Sequence, residues 1–274
     1  MSGPSDSRAT VVALRRYPLK SLRGEDLNAA DVTERGLLGD RAYALIDVDE
    51  GRVVSAKNPR KWGALFDCRA DFVEPPGATA PRPPVRITLP DGSQVRSDQA
   101  DVNERLSATL GRAVRIASMC PPSPSLEEYW PDVEGLARRD EVTSEAMPEG
   151  TFFDLAIVHL LTTATLDRLR ELAPAGRFEV RRFRPNFVLE ASDGSKGFVE
   201  NDWVGRTLAI GPEVRLGVTG PCPRCVMTTL AQEDLPKDPG ILRAAVEHNG
   251  GNVGIYATVL RGGRVRRGDV VKVE

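Results

Sequence analysis

Short apolar and polar alternations dominate this chain, and helical periodicity is rare. Thr10-Val-Val-Ala-Leu-Arg-Arg-Tyr17 alternates as a strand does and stops at Pro18. Further strands are expected at 29–32, 41–47, 52–55, 66–73, 85–89, 182–189, 203–210, 214–218, 253–260 and 265–273, separated by glycine- and proline-rich turns. Val226 to Leu230 also reads as a strand. Three segments carry helical spacing: 100–110 closed by Gly111, 162–172 with Thr162 or Thr163 as cap, and 241–247. Residues 1–8 read as a frayed tail. Pro121-Pro-Ser-Pro-Ser125 is the expected boundary between two domains, 9–120 and 125–274. The fold class expected is mixed α/β and β-rich, with few short helices.

Composition narrows the function classes. The 274 residues carry a net charge of −2, which gives no general attraction to nucleic acid. There is no run of eighteen apolar residues and no apolar core of a signal peptide near the start, so no membrane association is expected and a cytoplasmic location is. Four cysteines in a chain of this length do not make a disulfide scaffold.

The candidate chemistry centres on Cys222-Pro-Arg-Cys225. Pro221 and Pro223 stiffen the turn, and Arg224 beside Cys225 is expected to favour the thiolate, the form that attacks or binds metal. A structural zinc site would need a second pair at similar spacing, and Cys68 and Cys120 are single, so no zinc is expected. A thioredoxin-like motif would open a helix. Two inert buried thiols remain an alternative. Several basic side chains sit where turns meet strands: Lys20 beside Ser21, Arg41 after Gly39-Asp40, Lys57 and Arg60 around Pro59, and Arg184 before Pro185-Asn186. Singly these are surface residues; together they suit a phosphate or carboxylate ligand.

Tyr17-Pro-Leu-Lys-Ser21, Gly39-Asp-Arg41, Arg182-Phe-Arg-Pro-Asn186 and Cys222-Pro-Arg-Cys225-x-x-Thr-Thr229 occur in the order in which they resemble the MOSC family, in its form with an N-terminal MOSC β-barrel domain, which includes the amidoxime-reducing components. The resemblance runs from about Val11 to Val273. It implies an N-terminal β-barrel-like domain, a MOSC β-barrel domain, and a molybdenum cofactor (a molybdopterin), with no dependence on pyridoxal phosphate. It implies that Cys225 is the metal ligand and catalytic residue. Lys20, Ser21, Arg41, Lys57, Arg184 and Asn186 would line the cofactor site. The implied reaction removes oxygen from an N-hydroxylated small molecule, with electrons from a separate flavin-reductase or ferredoxin type of protein, since no four-cysteine cluster is present. The departure of Val158-His-Leu-Leu-Thr-Thr163 from the amidoxime reducers leaves that segment without assigned pocket residues. A persulfide-carrying sulfurtransferase using Cys225 and a non-catalytic cofactor carrier are the alternatives.

Overall fold

The structure, a computed structural model, describes residues 8–274. The expected tail therefore lies outside the described residues, apart from Arg8, which opens the first strand.

Seven strands close a barrel: β1 (Arg8–Arg16), β2 (Val158–Thr162), β3 (Phe187–Ala191), β4 (Thr207–Ile210), β5 (Val214–Pro223), β6 (Asn252–Arg261) and β7 (Val270–Val273). Their order around the wall is β3, β2, β6, β5, β4, β7, β1, and β1 returns to β3 to complete the ring. Closure leaves no free edge in the wall to recruit another strand. Only β2 and β3 run parallel, and a parallel neighbour requires a crossover; helices α3 (Thr163–Leu172) and α4 (Val180–Phe183) lie on it. The barrel fills with Val11, Leu14, Leu160, Phe187, Leu216 and Ile255, each completely or almost completely buried. Each such side chain contributes about 1.5–3 kcal/mol of transfer free energy. β1 comes from the first of the two expected domains, so that part of the chain lends a strand to the barrel of the second. Ala29–Thr33 likewise pairs with Gly263–Arg266.

The first half builds its own core from small sheets. Ala44–Asp47 pairs with Val114–Ala117, and Arg69–Phe72, Val85–Thr88 and Gln94–Arg96 form a meander. The helices α1 (Pro59–Trp62) and α2 (Val102–Leu110) bring Trp62 and Leu106 onto Phe66, Ile87 and Val95. Gly111 ends α2 with φ +66°, the left-handed cap that glycine adopts at low cost. Thr162 caps α3 by accepting a hydrogen bond from the Thr165 amide. The fifth helix, α5 (Gly240–Asn249), lays Ile241 and Ala245 against Leu166 and Leu169 of α3.

Several strand expectations change. Residues 52–55 make only an isolated bridge from Val53 to Ile46, 203–210 is a strand only over β4 after a 3₁₀ turn at Val199–Trp203, and β2 forms where no strand was expected. Val226–Thr229 is a 3₁₀ turn rather than a strand. Its apolar side chains Val226 and Met227 enter the first-half core together with Leu230, and the Thr228 and Thr229 hydroxyls donate back to the carbonyls of Cys225 and Val226 at 3.0 and 2.7 Å. Such local bonds compete with a strand ladder. Residues 180–183 form one helical turn, Arg184 then takes a left-handed backbone, and the strand begins only at Phe187. Residues 63–67 are a 3₁₀ helix ahead of a strand confined to Arg69–Phe72. The segment 265–273 divides into Gly263–Arg266 and β7 around Gly268, whose φ is +90°.

Arg182 explains the helical turn. It is fully buried, and its guanidinium donates to the carbonyls of Arg177, Thr228, Leu230 and Pro236 at 2.8–3.2 Å. One side chain thereby fastens α4 to the segment that follows Cys225. Arg182→Met keeps most of the volume but strands those carbonyls, and unsatisfied buried groups cost about 1–3 kcal/mol each. We expect a loss of about 3 kcal/mol or more in urea unfolding; a change below about 1 kcal/mol would show that water replaces the guanidinium at no cost.

Candidate functional site

Cys225 ends the extended segment after β5 and caps the 3₁₀ turn. Its half-buried thiol faces a cavity of about 200 Å³. Lys20, Ser21, Arg41, Lys57, Arg184 and Asn186 line the same cavity, so the structure brings together all seven residues singled out in the sequence. Arg60 does not join them; it pairs with Asp140 on the surface.

Each is placed by a local constraint. Pro18 ends the strand run, and the Lys20 amide donates to Tyr43 O at 2.9 Å. Ser21 (φ +67°), Arg41 (φ +46°) and Arg184 (φ +55°) all have left-handed backbone, half of the six non-glycine residues that do among those described. Such conformations cost of order 1–3 kcal/mol each and persist where the surroundings over-determine them. The buried Asp40 carboxylate supplies part of that determination. It accepts the Tyr17 amide at 2.7 Å, the Asn186 side-chain amide at 2.9 Å and the Arg41 guanidinium. Two cations stack on the Tyr17 ring, Arg41 at 4.5 Å and Arg184 at 4.2 Å from its centroid. Asn186 spends its side chain on the protein, since its oxygen also accepts the His159 amide at 3.1 Å.

The charges form one network. Lys20 donates to Phe152 O at 2.9 Å and pairs with Asp154. Lys57 reaches Glu128 at 3.0 Å and Asp154 at 3.5 Å. Burial alone would lower the Lys57 pKa, but Asp154, Cys225 and Glu128 outweigh it and hold the ammonium charged. Burial would likewise raise the Asp154 carboxyl, and Lys20 and Lys57 bring it well below its usual range. Burial and then Arg41 bring Arg184 down to about 10, still charged at neutral pH. Burial, with Arg224 nearby, drives His159 well below its ordinary value, so it is neutral.

Arg224 does not act as its sequence position suggests. Its guanidinium turns to Cys222 Sγ at 2.6 Å and Phe183 O at 2.8 Å, away from a direct bond to Cys225. Burial pushes the Cys225 thiol up to about 11, and Lys57 and Arg224 only oppose this. The free thiol is therefore protonated at neutral pH, where the sequence had suggested a thiolate. Sequence reasoning also missed Glu128, Trp130, Phe152, Phe153, Asp154 and Tyr256, which line the same cavity. Their residue types carry no signal of their own, and only the folded chain brings them to the cysteine.

The donor set fits an anionic group that carries a soft metal. Lys20, Arg41, Lys57, Arg184 and Arg224 surround one sulfur donor, and the buried Arg224 Nε has no partner. Among the described residues no three His, Cys, Asp or Glu side chains group as a metal cage. Cys225 thus offers a single protein ligand, and further ligands must come with the metal.

Family comparison agrees with this construction. The MOSC domain matches residues 149–272, and the MOSC N-terminal beta barrel domain matches residues 8–106. The chain thus carries both a MOSC domain and a MOSC N-terminal beta barrel domain. Human mitochondrial amidoxime-reducing component 1 is 24% identical over 229 residues, which is 81% of this chain and 66% of that protein. The chain thus spans just under two thirds of that relative's length. Among solved structures, the YUAD protein from Bacillus subtilis superposes over 97% of this chain and 95% of its own, at 14% identity and a TM-score of 0.48. YiiM from Geobacillus stearothermophilus covers 57% of this chain and 75% of its own at 16% identity, with a TM-score of 0.34.

A thiol held near 11 should alkylate slowly. In the cofactor-free protein, Cys225 modification by iodoacetamide, followed by peptide mass spectrometry, should rise about tenfold per pH unit between 7 and 10. Lys57→Met removes a cation that lowers the thiol pKa and should slow the reaction further at every pH in that range. A rate already flat above pH 8 would contradict the burial argument.

Proposed function

We propose that this chain is a molybdenum-cofactor oxidoreductase that reduces N-hydroxylated or other N–O compounds, taking electrons from a separate protein. The observation that carries the reading is the meeting of one displayed thiol with five cationic side chains in a single cavity. The similarity to the human amidoxime-reducing component adds the reaction class.

In this reading Cys225 is the protein's ligand to molybdenum, and it gives up its proton on coordination, as a thiol bound to a metal does. Lys57, whose charge Cys225 helps to stabilise, faces the resulting thiolate. Lys20, Arg41 and Arg184 hold the anionic parts of the cofactor by charge-assisted hydrogen bonds. Ser21 contributes through its left-handed turn and its hydroxyl, which also accepts the Ala56 amide at 3.1 Å. Asn186 acts by position: it fixes Asp40 and, through it, Arg41. Trp130, Phe152 and Phe153 give the cavity an apolar side that excludes water and accepts the body of the substrate. When bound, the cofactor supplies two electrons, so that with two protons N–OH becomes N–H and water leaves.

Cys225→Ser should lose molybdenum and turnover while the far-ultraviolet circular dichroism stays unchanged, because a hydroxyl remains protonated and hard. Cys222→Ser should retain metal. Full molybdenum content and normal turnover in Cys225→Ser would end the assignment. Cyanide-labile sulfur on Cys225 in protein from a host replete with cofactor would instead favour sulfur transfer.

Lys20→Ala should weaken cofactor retention about 10- to 150-fold, the equivalent of one charge-assisted contact of about 1.5–3 kcal/mol. Pterin occupancy across a cofactor titration reads this directly. Full occupancy with a lowered rate would place Lys20 in the chemistry instead.

A further inference from the structure

A second cavity, of about 520 Å³, opens on the other side of Arg184. Arg184 lines both cavities, and Tyr17, against which its guanidinium stacks, lines this outer one. Around it stand Arg15, Arg23, Arg69, Arg170 and Arg181, against four carboxylates, Glu25, Asp26, Glu179 and Glu233. The pairing is incomplete. Arg15 pairs with Asp26, Arg23 with Glu233, Arg181 with Glu179, Glu233 and Asp234, and Arg170 with Asp167, while Glu25 is taken by Arg16. Among the described residues, neither Arg69 nor Arg184 pairs with a carboxylate.

The hydrogen-bond accounting points the same way. Gln232 lines this cavity and is only 2% exposed, yet its side-chain Nε2 has no partner. The Nε of Arg23, on the same wall, also has none. Buried polar groups are rarely left unpaired, and each one costs about 1–3 kcal/mol. Both orphans are donors. A group that satisfies them must be an acceptor, and the surplus of arginine requires it to be negative. A planar guanidinium suits a carboxylate or phosphate held through two oxygens.

We propose that this outer cavity is a second anion site, distinct from the Cys225 cavity, that takes the phosphate or carboxylate group of a small molecule. Arg69 and Arg184 supply the charge, and Gln232 and Arg23 supply hydrogen bonds. Because Arg184 serves both cavities, an anion in the outer one alters the charge balance felt in the inner one.

Inorganic phosphate and citrate are the probes, titrated calorimetrically into the full chain without cofactor. Arg69→Ala removes an exposed cation at no risk to the fold and should weaken binding about tenfold or more. Gln232→Glu brings a carboxylate of nearly the same shape into the arginine ring. It should abolish binding of either probe and raise the melting temperature, since the protein then carries its own anion. Lys20→Ala, in the Cys225 cavity, should leave probe affinity within about twofold. If Lys20→Ala abolishes binding and the other two variants do not, the ion sits in the Cys225 cavity and the second site is wrong. No heat with either probe up to tens of millimolar also overturns it. Anion binding is read without cofactor, so loss of cofactor retention at the Cys225 cavity leaves these readouts unchanged.

Discussion

The buried Asp40 carboxylate is the contact on which the site depends. It lies in the turn that follows Gly39 and accepts donors from two distant parts of the chain, the backbone amide of Tyr17 and the side-chain amide of Asn186, and from the neighbouring Arg41 guanidinium. It joins the end of β1, the 39–41 turn and the start of β3, alongside the backbone bonds from Arg41 N to Tyr17 O at 2.8 Å and from Arg15 N to Asn186 O at 2.9 Å. A buried charge is tolerated only when paired and hydrogen-bonded, and here the pairing also dictates geometry. Arg41 is held over one side of the Tyr17 ring, and Arg184 over the same ring at a similar distance. Two like charges this close repel. Contact with the ring and the carboxylate nearby offset that repulsion.

A second constraint places the thiol. The 3₁₀ turn after Cys225 sends Val226 and Met227 into the core of the first half, while the strand before Cys225 belongs to the barrel of the second. The cysteine therefore sits at the joint between two cores. Arg182 ties α4 to the same turn through the carbonyls of Thr228 and Leu230. A soft donor is thus displayed by elements that are themselves packed and have little freedom to move, which is how a site attains a fixed geometry.

How much of this was readable in the sequence follows from what kind of signal each residue carries. Lys20, Arg41, Arg184 and Cys225 stand beside prolines or glycines, where the chain must turn, so their position at strand ends could be inferred before any fold was known. Most barrel strands were legible as alternating runs, but β2 was not, because all five of its residues are buried and it has no polar alternation, and nothing showed that β1 would close the ring against β3. The 226–229 run failed as a strand because an apolar stretch of four or five residues has no period of its own. What decided it was burial from two directions and the Thr228 and Thr229 hydroxyls. Glu128 and Asp154 were unreadable for another reason. The chain has 39 acidic residues, and only the approach of Lys57 and Lys20 distinguishes these two.

The chemical state of the thiol shows why local sequence is a poor guide to electrostatics. Arg224 is adjacent to Cys225 in the chain, yet its guanidinium bonds to Cys222 and to the Phe183 carbonyl. Lys57, 168 positions away, lowers the Cys225 pKa more than Arg224 does, and burial outweighs both. The consequence is a cavity poised rather than charged: cations are in place, and the sulfur keeps its proton until something positive arrives to displace it. On the proposed reading, an anionic, metal-bearing group would relieve both imbalances at once. The cations would gain counter-charge and the thiol would become the stronger donor. Such a site would favour the complete metal-bearing group over either the metal or the anion alone, because each half completes what the other requires.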